Sequence, residues 1–530
     1  MDLIQQVAKS VIGAHTSIKT PFGEKPLIYA DYTASGRSLG FIEDFIRDQV
    51  LPYYANTHSE SSLTGAQTNH YREQARQIIR QCVNGTEQDK VIFCGSGATS
   101  AINKIIDLLD IRRAEDASDR PVVFIGPYEH HSNELPWREI DVDLVVIPTT
   151  ADGAIDLQAL KLQLSHYQAR SMKIGSFSAA SNVTGLLTDV DAVALILRQG
   201  DALSFWDYAA AAPYLQIDMA NIDAAFVSPH KFPGGPGTPG LLIAKENLFR
   251  NDVPVTVGGG TVQYVSIDEH VYSNDVESRE EGGTPAIVEA IRAGMVFKLQ
   301  NDVGTERIRE IEVEHARHAI KRLAAIPNVE LLGSEDLPRL PILSFRIRAG
   351  SRYLHYGFIT ALLNDLFGIQ ARGGCSCAGP YGHKLLDLDS DTSREISQLV
   401  QQGFSIFRPG WTRFSLNYFT SNAEIEYILD AVAVIAEKGF KLLPDYEVSE
   451  KTGIWHHRHH KRKLLDLDWS GNECDESPQH IDFPSLMHQA LTQFEQPAKL
   501  GTEECSQGRS KECDVVRHKH RWFTLASDLN

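Results

Sequence analysis

The sequence predicts an α/β protein: a large domain with a mostly parallel sheet of seven strands flanked by helices, plus a smaller α+β domain. Three observations lead there. Short β-rich apolar runs recur at 90–94, 121–125, 143–147, 173–178, 202–206, 223–228 and 239–244. Several gaps between them carry helical spacing, as at Ile102, Ile105, Ile106 and Leu109, or Val190, Val193, Ala194 and Leu197. After Gly304 the pattern becomes a long helix (Ile308, Ile311, His315, Ile320, Leu323) followed by strands at 329–332 and 342–347. Strands alternating with helices form parallel sheets with both faces covered.

The expected division is an N-terminal arm at 1–40, the large domain at 41–303, the small domain at 304–443 and a polar, disordered tail at 444–530. A chain of 530 residues is too long for one compact core, which agrees with that division. Helices near 353–367 and 424–438 belong to the small domain. The tail opens with His456-His457-Arg458-His459-His460-Lys461-Arg462-Lys463 and holds Cys474, Cys505 and Cys513. That run reads as solvated charge, with a metal or an acidic partner as the alternatives. A short helix is expected at 483–494 within it.

A net charge of −18 argues against a broad nucleic-acid or anionic-membrane surface. No apolar run approaches the roughly 20 residues that span a bilayer. The opening MDLIQQVAKSVIGAH lacks a basic region followed by an apolar core. Seven cysteines in this length fit reduced thiols better than a disulfide framework. The expectation is a cytoplasmic protein.

In sheets of this kind, ligands bind at the carboxyl ends of the strands. The first such end gives Gly95-Ser96-Gly97-Ala98-Thr99-Ser100 leading into a helix, where free N–H groups suit a phosphate. Such turns also serve packing alone. The next gives Glu129-His130-His131, where an imidazole can stack on a flat ring or move protons, or simply be solvated. Later ends give Asn182, an amide donor, and Asp207, an acid that is costly to bury without a cation. A helix cap is the plain alternative for Asp207.

The seventh candidate strand is preceded by SPHKFPGGPGTPG at 228–240, where Lys231 is followed by four glycines and three prolines. A lysine amine whose pKa is lowered attacks carbonyls and forms Schiff bases. Taken alone, it is one more solvated lysine. Phosphate nest, ring-stacking imidazole, amide, acid and amine are together the groups that pyridoxal phosphate requires.

Beyond this reading, the chain resembles the class V aminotransferase family of pyridoxal-phosphate enzymes, fold type I, closest to its cysteine desulfurase and selenocysteine lyase branch. The motifs are IYADYTASGR, GATSAIN, EHHSNELPW, SNVTG, WDYAAAAP, SPHK, REEGGTP, RGGCSCAGP and TRFSLNYF, between about residues 28 and 438. The resemblance implies that Lys231 is the Schiff-base lysine and that Ala98, Thr99, Ser228 and His230 hold the phosphate. It implies His130 over the ring, Asp207 at the pyridine nitrogen and Asn182 near the ring hydroxyl. Thr284 matches the threonine that reaches the partner's phosphate in family dimers, so a homodimer is expected.

By the same resemblance, Arg413 binds the carboxylate of a small amino-acid substrate, Arg372, which opens the cysteine loop, is also substrate-binding, and Cys377 accepts sulfur. The implied activity is a cysteine desulfurase that turns L-cysteine into L-alanine and hands its persulfide sulfur to an acceptor protein. For Cys377 the residues also allow an inert thiol, a redox pair, or a metal pair with Cys375 and His383. Two close cysteines without a second pair are poor support for zinc, so no metal is expected. Two departures weaken the substrate assignment: Ala210 stands where the branch keeps a polar residue, and Cys375 where it often has histidine. Another class V reaction (aminotransferase, epimerase or lyase) and a non-catalytic scaffold are the rival readings.

Overall fold

The computed structural model describes residues 2–57, 59–114, 116–467, 481–495 and 519–529. The chain divides into two compact units, residues 1–12, 33–313 and 336–340, and residues 13–32, 314–335 and 341–530.

The first unit is built on seven strands: β1 (Asp89–Cys94), β2 (Val122–Ile125), β3 (Asp143–Val146), β4 (Lys173–Ser178), β5 (Leu203–Asp207), β6 (Ala224–Val227) and β7 (Gly240–Lys245). Their order across the sheet is β1-β7-β6-β5-β4-β2-β3. β7 runs antiparallel between β1 and β6, and the remaining neighbours are parallel. The mostly parallel seven-stranded sheet is therefore present, each strand within about one residue of its expected ends. Strands β2, β4 and β6 are buried at every position. Both faces are covered, which is why β2 and β6 read as unbroken apolar runs rather than alternating ones.

The outer edge of β1 is closed by carboxylates. Glu277 accepts from the Val91 N–H at 2.8 Å and Glu281 from the Phe93 N–H at 2.7 Å. Arg76 and Arg80, from the helix Leu63–Cys82, neutralise those carboxylates at 3.0 Å (Arg76–Glu281) and 2.8 Å (Arg80–Glu277). An edge strand left open invites pairing with another chain, and this clasp removes the opportunity. Gly294 lets the helix Ile287–Val303 approach Leu63–Cys82, because a Cβ there would fall 2.5 Å from that of Ala75.

The second unit holds an antiparallel sheet in the order Val329–Leu331, Ile342–Ala349, Trp411–Ser415, Arg372–Gly374. Helices Tyr356–Phe367 and Asn422–Lys438 supply much of its core, including Phe358, Leu362, Phe367, Ile428, Val432 and Ile435. These are the helices expected at 353–367 and 424–438.

Two domain expectations need correction. The N-terminal arm is not one piece, since residues 1–12 join the first unit and 13–32 the second. Nor does residue 304 mark the division, which falls inside the helix Thr305–Ala324. The expected disordered tail is also ordered in part. Strands Tyr446–Val448 and Trp455–His457 pair with each other, and the expected helix forms at Phe483–Gln493. Buried Tyr446, Trp455, Ala490, Phe494 and Phe523 explain this. Apolar anchors spaced through a polar segment give it enough buried surface to order, and average composition hides them. Cys474, Cys505 and Cys513 lie outside the described residues. No helix among the described residues is long and apolar enough to cross a membrane.

Candidate active site

Because six strands of the large sheet point the same way, their carboxyl ends gather the predicted groups along one edge of the first unit. At the end of β1, the helix Gly97–Leu108 begins with Gly97 at φ +59°. A Cβ on Gly97 would lie 2.7 Å from the Ser228 Oγ, and one on Gly240 would lie 2.1 Å from the Gly97 carbonyl oxygen. The turn is packed too tightly for side chains at either place. Ser228 Oγ accepts from the Ala98 N–H at 2.9 Å. Thr99, exposed, and Ser132 share a hydroxyl hydrogen bond of 2.6 Å. A helix N-terminus ringed by the hydroxyls of Thr99, Ser132 and Ser228 is a cradle for an anion.

At the end of β2, His130 caps the helix His131–Arg138, its Nδ1 accepting from the Ser132 N–H at 3.0 Å. In the neutral ring the proton therefore sits on Nε2. Beside it Glu129 is fully buried and accepts from Gly126 N–H (3.1 Å), Ser178 N–H (2.9 Å) and the Asn133 amide (2.7 Å). Burial outweighs these bonds and pushes its carboxyl up to about 7. At the end of β4, Ser181 Oγ accepts from the Val183 and Thr184 N–H groups at 3.2 Å each, shaping the turn that carries buried Asn182.

Asp207 ends β5, paired in register with Ser178 on one side and Phe226 on the other. It is 4 % exposed and its Oδ1 accepts from the Ala209 N–H at 2.8 Å. Burial raises its pKa, opposed by the Ala209 N–H and by the charge of Lys231. A carboxylate so placed calls for a cationic partner.

Lys231, half-buried, ends the short helical turn Pro229–Lys231 that follows β6. The turn is clamped by the motif at 33–37: Gly36 N–H donates to the His230 carbonyl at 2.9 Å, and Gly234 N–H to the Arg37 carbonyl at 2.7 Å. A Cβ on Gly36 would fall 1.9 Å from the Phe232 carbonyl oxygen, so only glycine fits there. Ser35 Oγ lies 3.3 Å from His230 Nδ1. Burial, with Lys231 adding to it, lowers the His230 imidazole to about 4, leaving it neutral at pH 7. Thr284 lies on an exposed turn three residues beyond Glu281, whose clasp fixes that turn to β1.

The second unit carries the other predicted residues. Arg413, 3 % exposed on the strand Trp411–Ser415, and Arg372, exposed on Arg372–Gly374, face each other in register. Asp31 bridges them, its two oxygens 2.9 Å from Arg413 Nη2 and 2.9 Å from Arg372 Nε. The planar guanidinium fork suits a bidentate grip on a carboxylate. Burial lowers the Arg413 pKa, opposed first by Asp31, while the nearby Cys377 sulfur also favours the cation. Cys377 is exposed and Cys375 half-buried, both as free thiols. No group of three or more metal-ligating side chains with metal-site geometry occurs among the described residues.

Sequence reasoning missed three of these residues. Asp31 follows a short apolar run, but its arginine partners are so far away in sequence that nothing local marked it. Ser132 and Ser35 gave no signal either, since only folding sets their hydroxyls beside Thr99 and His230.

The cradle, the buried acid and the half-buried amine fit a phosphorylated, protonatable ring aldehyde. The model of the aminotransferase class-V family matches residues 28–428. A protein named probable cysteine desulfurase from Staphylococcus aureus is 28% identical over 392 residues, covering 71% of this chain and 91% of its own. A protein of the same name from Halalkalibacterium halodurans is 28% identical over 361 residues, covering 67% and 85%. The solved apo cysteine desulfurase of Thermococcus onnurineus superposes with a TM-score of 0.65 at 23% identity, covering 78% of this chain and 95% of its own. An Escherichia coli cysteine desulfurase gives 0.63 at 21%, covering 77% and 94%. This chain belongs to the class V aminotransferase family.

Proposed function

We propose that the chain is a pyridoxal-phosphate enzyme that removes sulfur from L-cysteine, leaving L-alanine and a persulfide on Cys377. The observation that carries this reading is the exposed Cys377 thiol beside the paired Arg372 and Arg413, in a chain whose relatives are named for that activity. When bound, the cofactor supplies an electron sink for a carbanion at the substrate Cα.

The chain's own groups do the rest. Gly97, Ala98, Thr99, Ser132 and Ser228 hold the phosphate, with His230 and, from a second copy in a homodimer, Thr284. Asp207 would keep the ring nitrogen protonated, Asn182 would donate toward the ring hydroxyl, and His130 would contact the ring. Lys231 would hold the cofactor through its amine and would move the substrate Cα proton. Arg413 grips the substrate carboxylate through its guanidinium fork. The Cys377 thiolate attacks the substrate sulfur; the new S–S bond forms as the substrate C–S bond breaks, and a proton goes to carbon. Sulfur passes from there to an acceptor protein in the cytoplasm.

The test is alanine and sulfide formation from L-cysteine by the full chain and by Cys377→Ser. Turnover lost in the variant, with the cofactor still bound, supports the proposal; unchanged turnover removes Cys377 from the reaction. Ala210, buried where the branch keeps a polar side chain, favours a second reading with a different amino-acid substrate. Alanine-forming turnover of L-cysteine no faster than of other amino acids would bear that reading out.

A further inference from the structure

Cys377 sits in a turn that costs energy to hold. Ser376 and Cys377 have φ of 52° and 56°, and the Ala378 N–H donates to the Cys375 carbonyl at 3.2 Å. Left-handed backbone at two successive non-glycine residues is strained and lasts only where the surroundings dictate it.

One aromatic ring supports the strand leading into this turn. A Cβ on Gly373 would fall 2.8 Å from Cδ2 of Tyr356, and one on Gly410 would fall 2.8 Å from its Cε1. Gly374 pairs in register with Trp411, so Tyr356 lies against both strands at the base of the turn. Tyr356 is in turn stacked on Trp522, with centroids 5.8 Å apart and planes 23° from parallel.

Trp522 belongs to the last described segment, residues 519–529, and is well anchored. Tyr353 N–H donates to the Trp522 carbonyl at 3.2 Å and Thr524 N–H to the Tyr353 carbonyl at 2.9 Å. The Trp522 indole N–H donates to the Phe407 carbonyl at 3.4 Å, and Phe523 is 1 % exposed. Buried His355 stacks on Trp522 with centroids 5.2 Å apart. Its Nδ1 accepts from Trp455 Nε1 and from Gly357 N–H, each at 3.0 Å, and its Nε2 lies 3.2 Å from the Ile406 carbonyl. Trp455 and Trp522 both lie beyond residue 428, where the family match ends.

We propose that this C-terminal segment is a strap that positions the cysteine turn, with Trp522 as its positioning residue, acting through Tyr356 on residues 373–378. The inference rests on the reading of Cys377 as the sulfur acceptor. The strap gives this chain a way to hold a strained turn that the family match alone does not include.

The test is alkylation of Cys375 and Cys377 by iodoacetamide in the full-length holoenzyme, resolved by peptide mass spectrometry. In the wild type, exposed Cys377 labels faster than half-buried Cys375. In Trp522→Ala the local opening narrows that ratio by about threefold or more, while Trp522→Phe, which keeps a ring on Tyr356, preserves it. With L-cysteine, kcat falls in Trp522→Ala and KM holds. An unchanged labelling ratio in a folded Trp522→Ala overturns the strap. Should that variant not fold, hydrogen exchange in the wild type decides: residues 519–525 and 373–378 open together if the strap holds the turn, and fast exchange of 519–525 over a protected turn overturns it. A narrowed ratio without any L-cysteine turnover in the wild type would leave the strap standing and sink the desulfurase reading instead.

Discussion

The lysine turn and the cysteine turn present their nucleophiles in opposite ways. Lys231 is held by backbone that has no slack: Gly36 and Gly235 press on its turn, and a Cβ at Gly235 would lie 2.0 Å from the Pro229 carbonyl oxygen. Asp207, whose carboxyl feels the charge of Lys231, is buried, as are Glu129 and Asn182 at the ends of neighbouring strands. Cys377 projects from an exposed turn in strained backbone, steadied from outside by aromatic side chains. A cofactor that stays bound can be met by a fixed, buried constellation, as preorganisation requires. A thiol that must take sulfur and pass it on has to be reachable.

Breaking the lysine side of this comparison has the largest expected effect. Lys231→Ala should cut turnover by about 10²–10⁴-fold, since it deletes the proton-moving amine, with the fold unchanged by circular dichroism. Activity close to that of the wild type would mean another group moves the proton.

Next in size is the clasp on β1, which anchors the turn bearing Thr284. Glu281→Ala leaves buried Arg76 short of a partner and should cost about 3–5 kcal/mol in denaturant unfolding. A loss under about 1 kcal/mol would show that water replaces the carboxylate there.

The two regions also answer pH with opposite signs. Burial holds the His355 imidazole down at about 3, so the unfolded chain binds the proton first. Its contribution to stability is present above pH 6.5 and is lost at about 1.4 kcal/mol per pH unit on the way down. Glu129 is the reverse: with its carboxyl raised to about 7, the native protein holds the proton. Its contribution is present below the usual carboxylate range and is lost as pH rises toward 7. In the apoprotein the two slopes oppose each other between pH 5 and 6.5. Glu129→Gln should therefore make unfolding free energy rise more steeply with pH over that interval, and an unchanged slope would contradict the assignment.

The smallest effect sharpens the cradle. Ser132→Ala removes one hydroxyl beside Thr99 and should weaken pyridoxal-phosphate binding by about fivefold, in line with roughly 1 kcal/mol for one hydrogen bond. Equilibrium dialysis measures it.

What could be read before folding follows the same contrast. The buried strands announced themselves because β2 and β6 are apolar along their whole length. Lys231, Asp207 and Ala98 stood out because each follows such a run. Asp31 did not, because its partners Arg372 and Arg413 are more than 300 residues away in sequence. The C-terminal anchors Trp455, Trp522 and Phe523 were hidden in a segment whose average composition is polar. Pairing across long separations leaves no local trace, and neither does one buried ring among many charges.

The most direct measurement is borohydride reduction of the full-length protein after incubation with pyridoxal phosphate, followed by peptide mapping. The account predicts one phosphopyridoxyl mass, on Lys231. That mass on a different lysine, or on none, would contradict it.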